Sequence, residues 1–273
     1  MTDITEPGDT APIILEQTGH VAILRLNDPG RRNGLSPELI SALVELLTQI
    51  NHDRSIRALV LTGNGSAFSA GGSPKRMIAP GSFPDMSPFE IRDAFRYGIQ
   101  RIAETFAALE TPVVAAVNGP AIGAGCDLAC MCDIRIASEQ AVFSSSFVKL
   151  GLVAGDGGAW FLPRVVGKAH AAEMLLTGRP VAADEALAMG LVSAVVAAGR
   201  LEAEALKRAE AVAANPPQAT RLVKRLLRDS PDVPLPVALE LAAAMQALAL
   251  KAEDQREAVL ALLEKRAPQF KGK

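Results

Sequence analysis

Gly63-Asn64-Gly65-Ser66-Ala67-Phe68-Ser69-Ala70-Gly71-Gly72 and Asn118-Gly119-Pro120-Ala121-Ile122-Gly123-Ala124-Gly125-Cys126-Asp127 decide how this chain is read. Each segment follows an apolar run, Ala58-Leu59-Val60-Leu61-Thr62 before the first and Val113-Val114-Ala115-Ala116-Val117 before the second. Runs of this kind between turn residues predict buried strands. Small residues let a backbone approach a ligand closely. Two such loops at strand ends can aim two N–H groups at one oxygen, which is what a carbonyl gaining negative charge requires.

Outward from the loops, the flanking chain alternates strand and helix. Ile13, Leu15, Val21, Ile23 and Leu26 predict two short strands around Gly19. Asp28-Pro29-Gly30 is a turn, and Ser36-Pro37-Glu38 opens a helix with a cap, a fixed-φ first residue and an acid in its first turn. Pro80 to Pro88 reads as a mobile surface segment, followed by one helix from about residue 89 to 108. A helix beginning is expected at Asp127–Met131, with strands at 134–136 and 141–143. Helical patterns take over from Ala169. Asn215-Pro216-Pro217 breaks the first long helix, and Leu235 to Lys265 reads as a single final one. Strand–loop–helix alternation of this kind predicts an α/β fold.

Composition sets limits on partners. The chain has 273 residues, 49% of them apolar and 21% charged, enough for a sizeable core and against wholesale disorder. Aromatics are 4% and the formal charge is −2, so base stacking and a basic field are both lacking and no nucleic-acid partner is expected. The acidic stretch at residues 1–9 lacks the start of a secretion signal, and no apolar run reaches about 18 residues. The expectation is a cytoplasmic protein with no membrane segment. Cys126, Cys130 and Cys132 form a poor disulfide framework and lack a nearby histidine for zinc, so packed thiols and no metal are expected. No Gly-Lys-Ser/Thr follows either glycine loop, and no dinucleotide fingerprint is present.

Read together, the motifs are far more specific. Ala67-Phe68-Ser69-Ala70-Gly71-Gly72 with Lys75 and Met77, and Pro112 to Ala129, resemble the two oxyanion-hole segments of the crotonase (enoyl-CoA hydratase/isomerase) superfamily. Cys132-Asp133-Ile134, Gly157-Gly158, Leu162-Pro163-Arg164 and Gly190-Leu191-Val192 continue the likeness, which runs from about residue 12 to the C-terminus.

The resemblance implies a crotonase fold, a spiral of repeated ββα units. Residues 1–195 would form the core with the CoA-thioester site, and 196–273 a C-terminal helical trimerisation region. It also implies a homotrimer or dimer of trimers, and an enoyl-CoA hydratase-like enzyme of fatty-acid or related acyl-CoA metabolism. The thioester oxygen would accept from the N–H groups of Gly72 and Ala124, leaving an enolate-like state. Arg31, Arg32, Ser69, Ala70, Gly71 and Lys75 match the family's CoA-contacting positions, with Asn33 beside the two arginines. Phe270 and Lys271 resemble a C-terminal pair that reaches CoA from a neighbouring subunit. No separate cofactor is implied, since CoA arrives with the substrate.

The acid–base positions depart from the family. Where its hydratases carry two glutamates, this chain has Asp127 and Phe147, the latter preceded by Ser144-Ser145-Ser146. Asp156, between Gly155 and Gly157, is the candidate replacement base; a carboxylate there can equally cap a helix. Asp127 can act on protons, cap a helix or pair with Arg135. Trp160 and Phe161 either line the acyl pocket or pack in the core. An isomerase, which needs one carboxylate, and an acyl-CoA-binding relative without chemistry remain as alternatives.

Overall fold

The computed structural model describes residues 11–273; the acidic stretch read at residues 1–9 lies outside them. Strands β1 (Ile13–Thr18) and β2 (Val21–Leu26) form an antiparallel hairpin, with Ile13 opposite Leu26. Helix α1 (Pro37–His52) follows, and its Ser36 cap accepts from Leu39 N–H as the sequence predicts. Next come β3 (Ala58–Gly63), α2 (Pro74–Met77), α3 (Pro88–Arg96), α4 (Gln100–Ala108) and β4 (Val113–Val117). The second glycine segment contains β5 (Ala121–Ile122) and enters α5 (Ala124–Met131). Then follow β6 (Ile134–Ser138), β7 (Val142–Ser144), α6 (Gly158–Thr177), β8 (Val181–Ala182), α7 (Ala183–Ala188) and β9 (Ala194–Val196). Helices α8 (Leu201–Ala213), α9 (Pro217–Asp229), α10 (Leu235–Lys251) and α11 (Glu253–Glu264) complete the chain.

The main sheet runs β1-β2-β3-β4-β6-β9, parallel from β2 onward. Strands β3 and β4 are buried along their whole length, which is why they read as unbroken apolar runs rather than alternating ones. One face packs on α1, α4, α5 and α6. The other is covered by α8, whose Leu201, Ala205, Ala209 and Ala213 recur every fourth residue and meet Val60, Val114 and Ile136. A second sheet, β5-β7-β8, lies beside the glycine loops. Among the described residues no single helix is long and apolar enough to cross a membrane.

Four helix boundaries differ from expectation. The single helix over 89–108 is two, because the chain turns at Tyr97-Gly98-Ile99 around a residue with poor helix propensity. Helix α5 begins at Ala124, three residues before Asp127, and α6 begins at Gly158, well before Ala169. The final helix is also two, bent by 70° at an extended Ala252. That break is stabilised from a distance. The buried Asp254 carboxylate accepts from Lys271 and Gly272 N–H at 2.7 and 2.8 Å, and Glu253 N–H donates to the Lys273 carbonyl at 2.8 Å. Periodicity along one segment carries no information about such a contact.

Candidate active site

The two glycine segments meet side by side. Phe68 and Ser69 N–H donate to the Pro120 carbonyl at 3.1 and 3.2 Å, and Ile122 N–H returns a bond to Ser69 at 3.0 Å. Gly71 sits at φ +69°, where a Cβ would overlap the Ile122 carbonyl and stand 3.0 Å from Ala124 N. Only glycine satisfies both demands. The first loop is held from its outer side as well. Buried Asn33 donates to the carbonyls of Asn64 and Ala67 at 2.9 and 2.8 Å, Ser69 Oγ donates to the Asn33 carbonyl at 2.7 Å, and Ala70 N–H donates to Arg32 at 2.9 Å. The Asn33 side chain is therefore spent on fixing the loop.

This packing leaves two donors free. Among the described residues neither Gly72 N–H nor Ala124 N–H has a protein acceptor. Ala124 is also the first residue of α5, so the positive end of that helix adds to its N–H. Beside it lies an apolar recess lined by Leu35, Ile99, Ile102, Leu128 and Met131, onto which Ala124 and Asp156 both open.

Two carboxyls meet at this point. Asp127, on the first turn of α5, is completely buried, and Asp156 is 4% exposed. The Asp127 carboxyl lies against Gly158, two residues after Asp156, and each carboxyl perturbs the ionisation of the other. Both Asp127 oxygens and Asp156 Oδ1 are buried with no hydrogen-bond partner, and among the described residues no cation forms an ion pair with either residue. Burial, followed by the neighbouring Asp156, pushes the Asp127 carboxyl well above the usual carboxylate range. Burial also raises Asp156, while the neighbouring Asp127 acts the other way. Two expectations are corrected here. Asp156 is not the cap of α6, since Gly157 holds that position and no side chain caps the helix. Asp127 does not pair with Arg135, whose guanidinium donates to the carbonyls of Leu191 and Cys132.

The loop carrying Asp156 is braced by contacts that sequence reading missed. Gln100 Nε2 donates to the Gly155 carbonyl at 2.6 Å, and the Phe95 ring lies 3.6 Å from the direction of a Gly155 side chain. Nothing in the local sequence links residues 95–100 to 155. Phe147 stands over Gly123, 3.7 Å from where a Cβ would lie, so an aromatic ring borders the entrance to α5. Trp160 is 42% exposed under the Arg164 guanidinium and does not line the recess; Phe161 packs edge-on against it and on the core.

The candidate CoA contacts divide into two groups. Arg31, Arg32 and Lys75 are exposed beside the first loop; Arg31 has Asp28 at 3.8 Å, and neither Arg32 nor Lys75 enters an ion pair among the described residues. Ser69, Ala70 and Gly71 are the loop itself. Phe270 and Lys271 are elsewhere. The Phe270 carbonyl accepts from Arg57 at 2.7 Å, just before β3 begins, whereas the glycine loop leaves the opposite end of that strand. One chain does not bring these two residues to its own loops. The three cysteines are free and buried. Among the described residues no group of three or more His, Cys, Asp or Glu side chains is placed to hold a metal.

The family described as enoyl-CoA hydratase/isomerase matches residues 16–273. A Thermus thermophilus relative is 39% identical over 256 residues, covering 93% of this chain and 98% of that one. The crotonyl-CoA hydratase of Syntrophomonas wolfei is 35% identical, covering 94% and 97%. The solved enoyl-CoA hydratase of Bacillus anthracis superposes with a TM-score of 0.90 at 36% identity, covering 96% of this chain and all of that one.

Proposed function

Since the chain belongs to the enoyl-CoA hydratase/isomerase family and is an enoyl-CoA hydratase-like enzyme acting on acyl-CoA thioesters, we propose that its two free loop amides hold the thioester oxygen while the Asp127–Asp156 pair moves the proton. The carrying observation is that Ala124 and Asp156 line the same narrow apolar recess. A thioester whose oxygen accepts from Gly72 and Ala124 would lay its acyl carbons along the apolar wall, in front of that carboxyl. From a 3-hydroxyacyl thioester in the dehydration direction, or a 3-enoyl thioester in migration, the Asp156 carboxylate takes the α-proton; in the first case hydroxide then leaves C3 as water, and in the second the proton returns at C4. The C–H electron pair forms the enolate double bond, and the carbonyl oxygen carries the negative charge against the two N–H groups. CoA itself enters with the substrate. Arg31, Arg32 and Lys75 meet its phosphates, and Phe270 with Lys271 serves the site of a neighbouring subunit in a homotrimer or dimer of trimers. The exposed Leu235, Leu239, Leu262 and Leu263 of α10 and α11 support such an assembly.

Double-bond migration is a second reading, favoured by Phe147. Hydration needs a group to activate water as well as one to handle the α-proton, and a phenyl ring at this entrance does neither. Migration needs only one carboxyl, which removes a proton from one carbon and returns it to another. Assays of 2-butenoyl-CoA hydration and of 3-hexenoyl-CoA migration separate the two. Ala124→Pro tests the shared step. Proline suits the first position of a helix, so the substitution removes the N–H and leaves α5 its preferred backbone. Turnover of either substrate is expected to fall by about 100- to 1,000-fold; unchanged turnover would remove Ala124 from the mechanism.

A further inference from the structure

We infer that Asp127 is a positioning residue, which keeps a proton and donates it as a hydrogen bond to Asp156, so that Asp156 alone meets the substrate as a carboxylate. The inference rests on the proton-transfer role proposed above for the pair.

Three observations lead to it. Asp156 lines the recess and Asp127 does not, so one carboxyl faces the acyl group and the other stands behind it. Three of their four oxygens are buried with no hydrogen-bond partner, and the Asp127 carboxyl lies against Gly158, two residues after Asp156. Two ionised carboxylates in that situation would repel each other in a medium that hydrates neither, and one shared proton removes the conflict by turning repulsion into a charge-assisted hydrogen bond. Finally, the surroundings offer no alternative counter-charge. On α5 the other ionisable groups near Asp127 are the thiols of Cys126 and Cys130. The facing segment contributes Ile99 and Ile102, and the loop into α6 contributes Asp156 itself. Among the described residues no lysine, arginine or histidine forms an ion pair with Asp127 or Asp156 or shifts their ionisation.

The proton stays with Asp127 because that residue is the more deeply enclosed and does not line the recess. Asp156 then remains anionic and unhydrated, ready to accept a proton from carbon. When it does, its new O–H replaces the charge, and Asp127 keeps its own proton throughout. The role is to hold Asp156 ionised in a dry site and fix which oxygen faces the substrate.

The test uses exchange of the α-protons of butyryl-CoA in D2O, followed by NMR, with carbon-13 carboxyl NMR of aspartate-labelled protein as a second readout. Asp156→Asn is expected to lose about 100-fold or more of the exchange rate, the usual scale for a general base. Asp127→Asn retains a donor in place of the neutral acid, so its loss is expected to stay within about tenfold. Its rate should also no longer fall on the alkaline side, where the native pair would lose its second proton. The labelled native protein should show one neutral and one ionised carboxyl at neutral pH, whether or not any variant folds. Equal losses in the two Asn variants, or two ionised carboxyls at neutral pH, would overturn the inference. Failure of the native protein to exchange butyryl-CoA protons would instead count against the proposed function, and the carboxyl spectrum would still decide how the pair shares its proton.

Discussion

The Asp127 carboxyl occupies the space where a side chain on Gly158 would begin: a Cβ at that position would overlap the carboxyl carbon and both oxygens. The first residue of α6 is therefore fitted to an acid on α5. The two helices are packed against each other with this contact between them. Gly158→Ala is expected to push the carboxyl away from Asp156 or to spread the helices, at a cost of about 1–3 kcal/mol for overpacking. Urea denaturation would read the stability loss and acyl-CoA turnover the displacement. A variant with native stability and native turnover would show that the contact has more slack than the structure gives it.

The same pair makes stability depend on pH in a direction opposite to that of an ordinary salt bridge. Both carboxyls are raised by burial, so the folded chain holds more protons than the unfolded one. The pair's own contribution to stability is greatest below the ordinary carboxylate range, where both states are protonated. It declines as pH rises from there toward the raised value, by up to about 1.4 kcal/mol per pH unit for each proton retained. Asp127→Asn removes one titrating group. Its stability relative to the native chain should thus improve as pH is raised from about 4 toward 8, starting from the unperturbed aspartate pKa. Denaturant midpoints across that range decide the matter, and a difference that does not vary with pH would place the Asp127 pKa in its ordinary range.

Arg31, Arg32 and Lys75 offer exposed charge beside the first loop without touching the recess. Replacing them together with alanine is expected to raise KM for an acyl-CoA by about tenfold, since exposed contacts contribute about 1 kcal/mol or less apiece, while kcat stays near native. Added salt should weaken native binding and have little effect on the triple variant. A fall in kcat with KM unchanged would argue against a role in holding CoA.

Much of this site could be read from the sequence, for a local reason. Strand ends, glycine loops and the Ser36 cap leave signatures within a few residues of themselves. The loops at 63–72 and 118–127 are accordingly legible as a pair from their glycines and the strands before them. What could not be read depends on contacts between distant segments. The break at Ala252 follows from Asp254 binding the chain eighteen residues later. The proximity of Asp127 and Asp156 depends on α5 lying against α6, and the brace on Gly155 comes from Gln100. Asn33 was grouped with two arginines by position, yet its amide ties down the first loop. A side chain buried in a turn and one facing a nucleotide look alike in a one-dimensional pattern.

Phe147 gives the sharpest test of reaction type. Its ring borders Gly123, immediately before the Ala124 N–H, at the position where the sequence resemblance places a second glutamate. A phenyl ring there neither orients water nor accepts its proton, and it keeps the entrance to α5 apolar. Phe147→Glu would restore a carboxylate at the position where the resemblance has one, at the cost of some packing against Gly123. The ratio of 2-butenoyl-CoA hydration to 3-hexenoyl-CoA migration should then rise, by about tenfold or more if the new group acts as a general base. Comparing the two rates within one variant cancels any loss of folded protein. A ratio that stays constant, or that moves toward migration, would show that a carboxylate at position 147 does not activate water in this site.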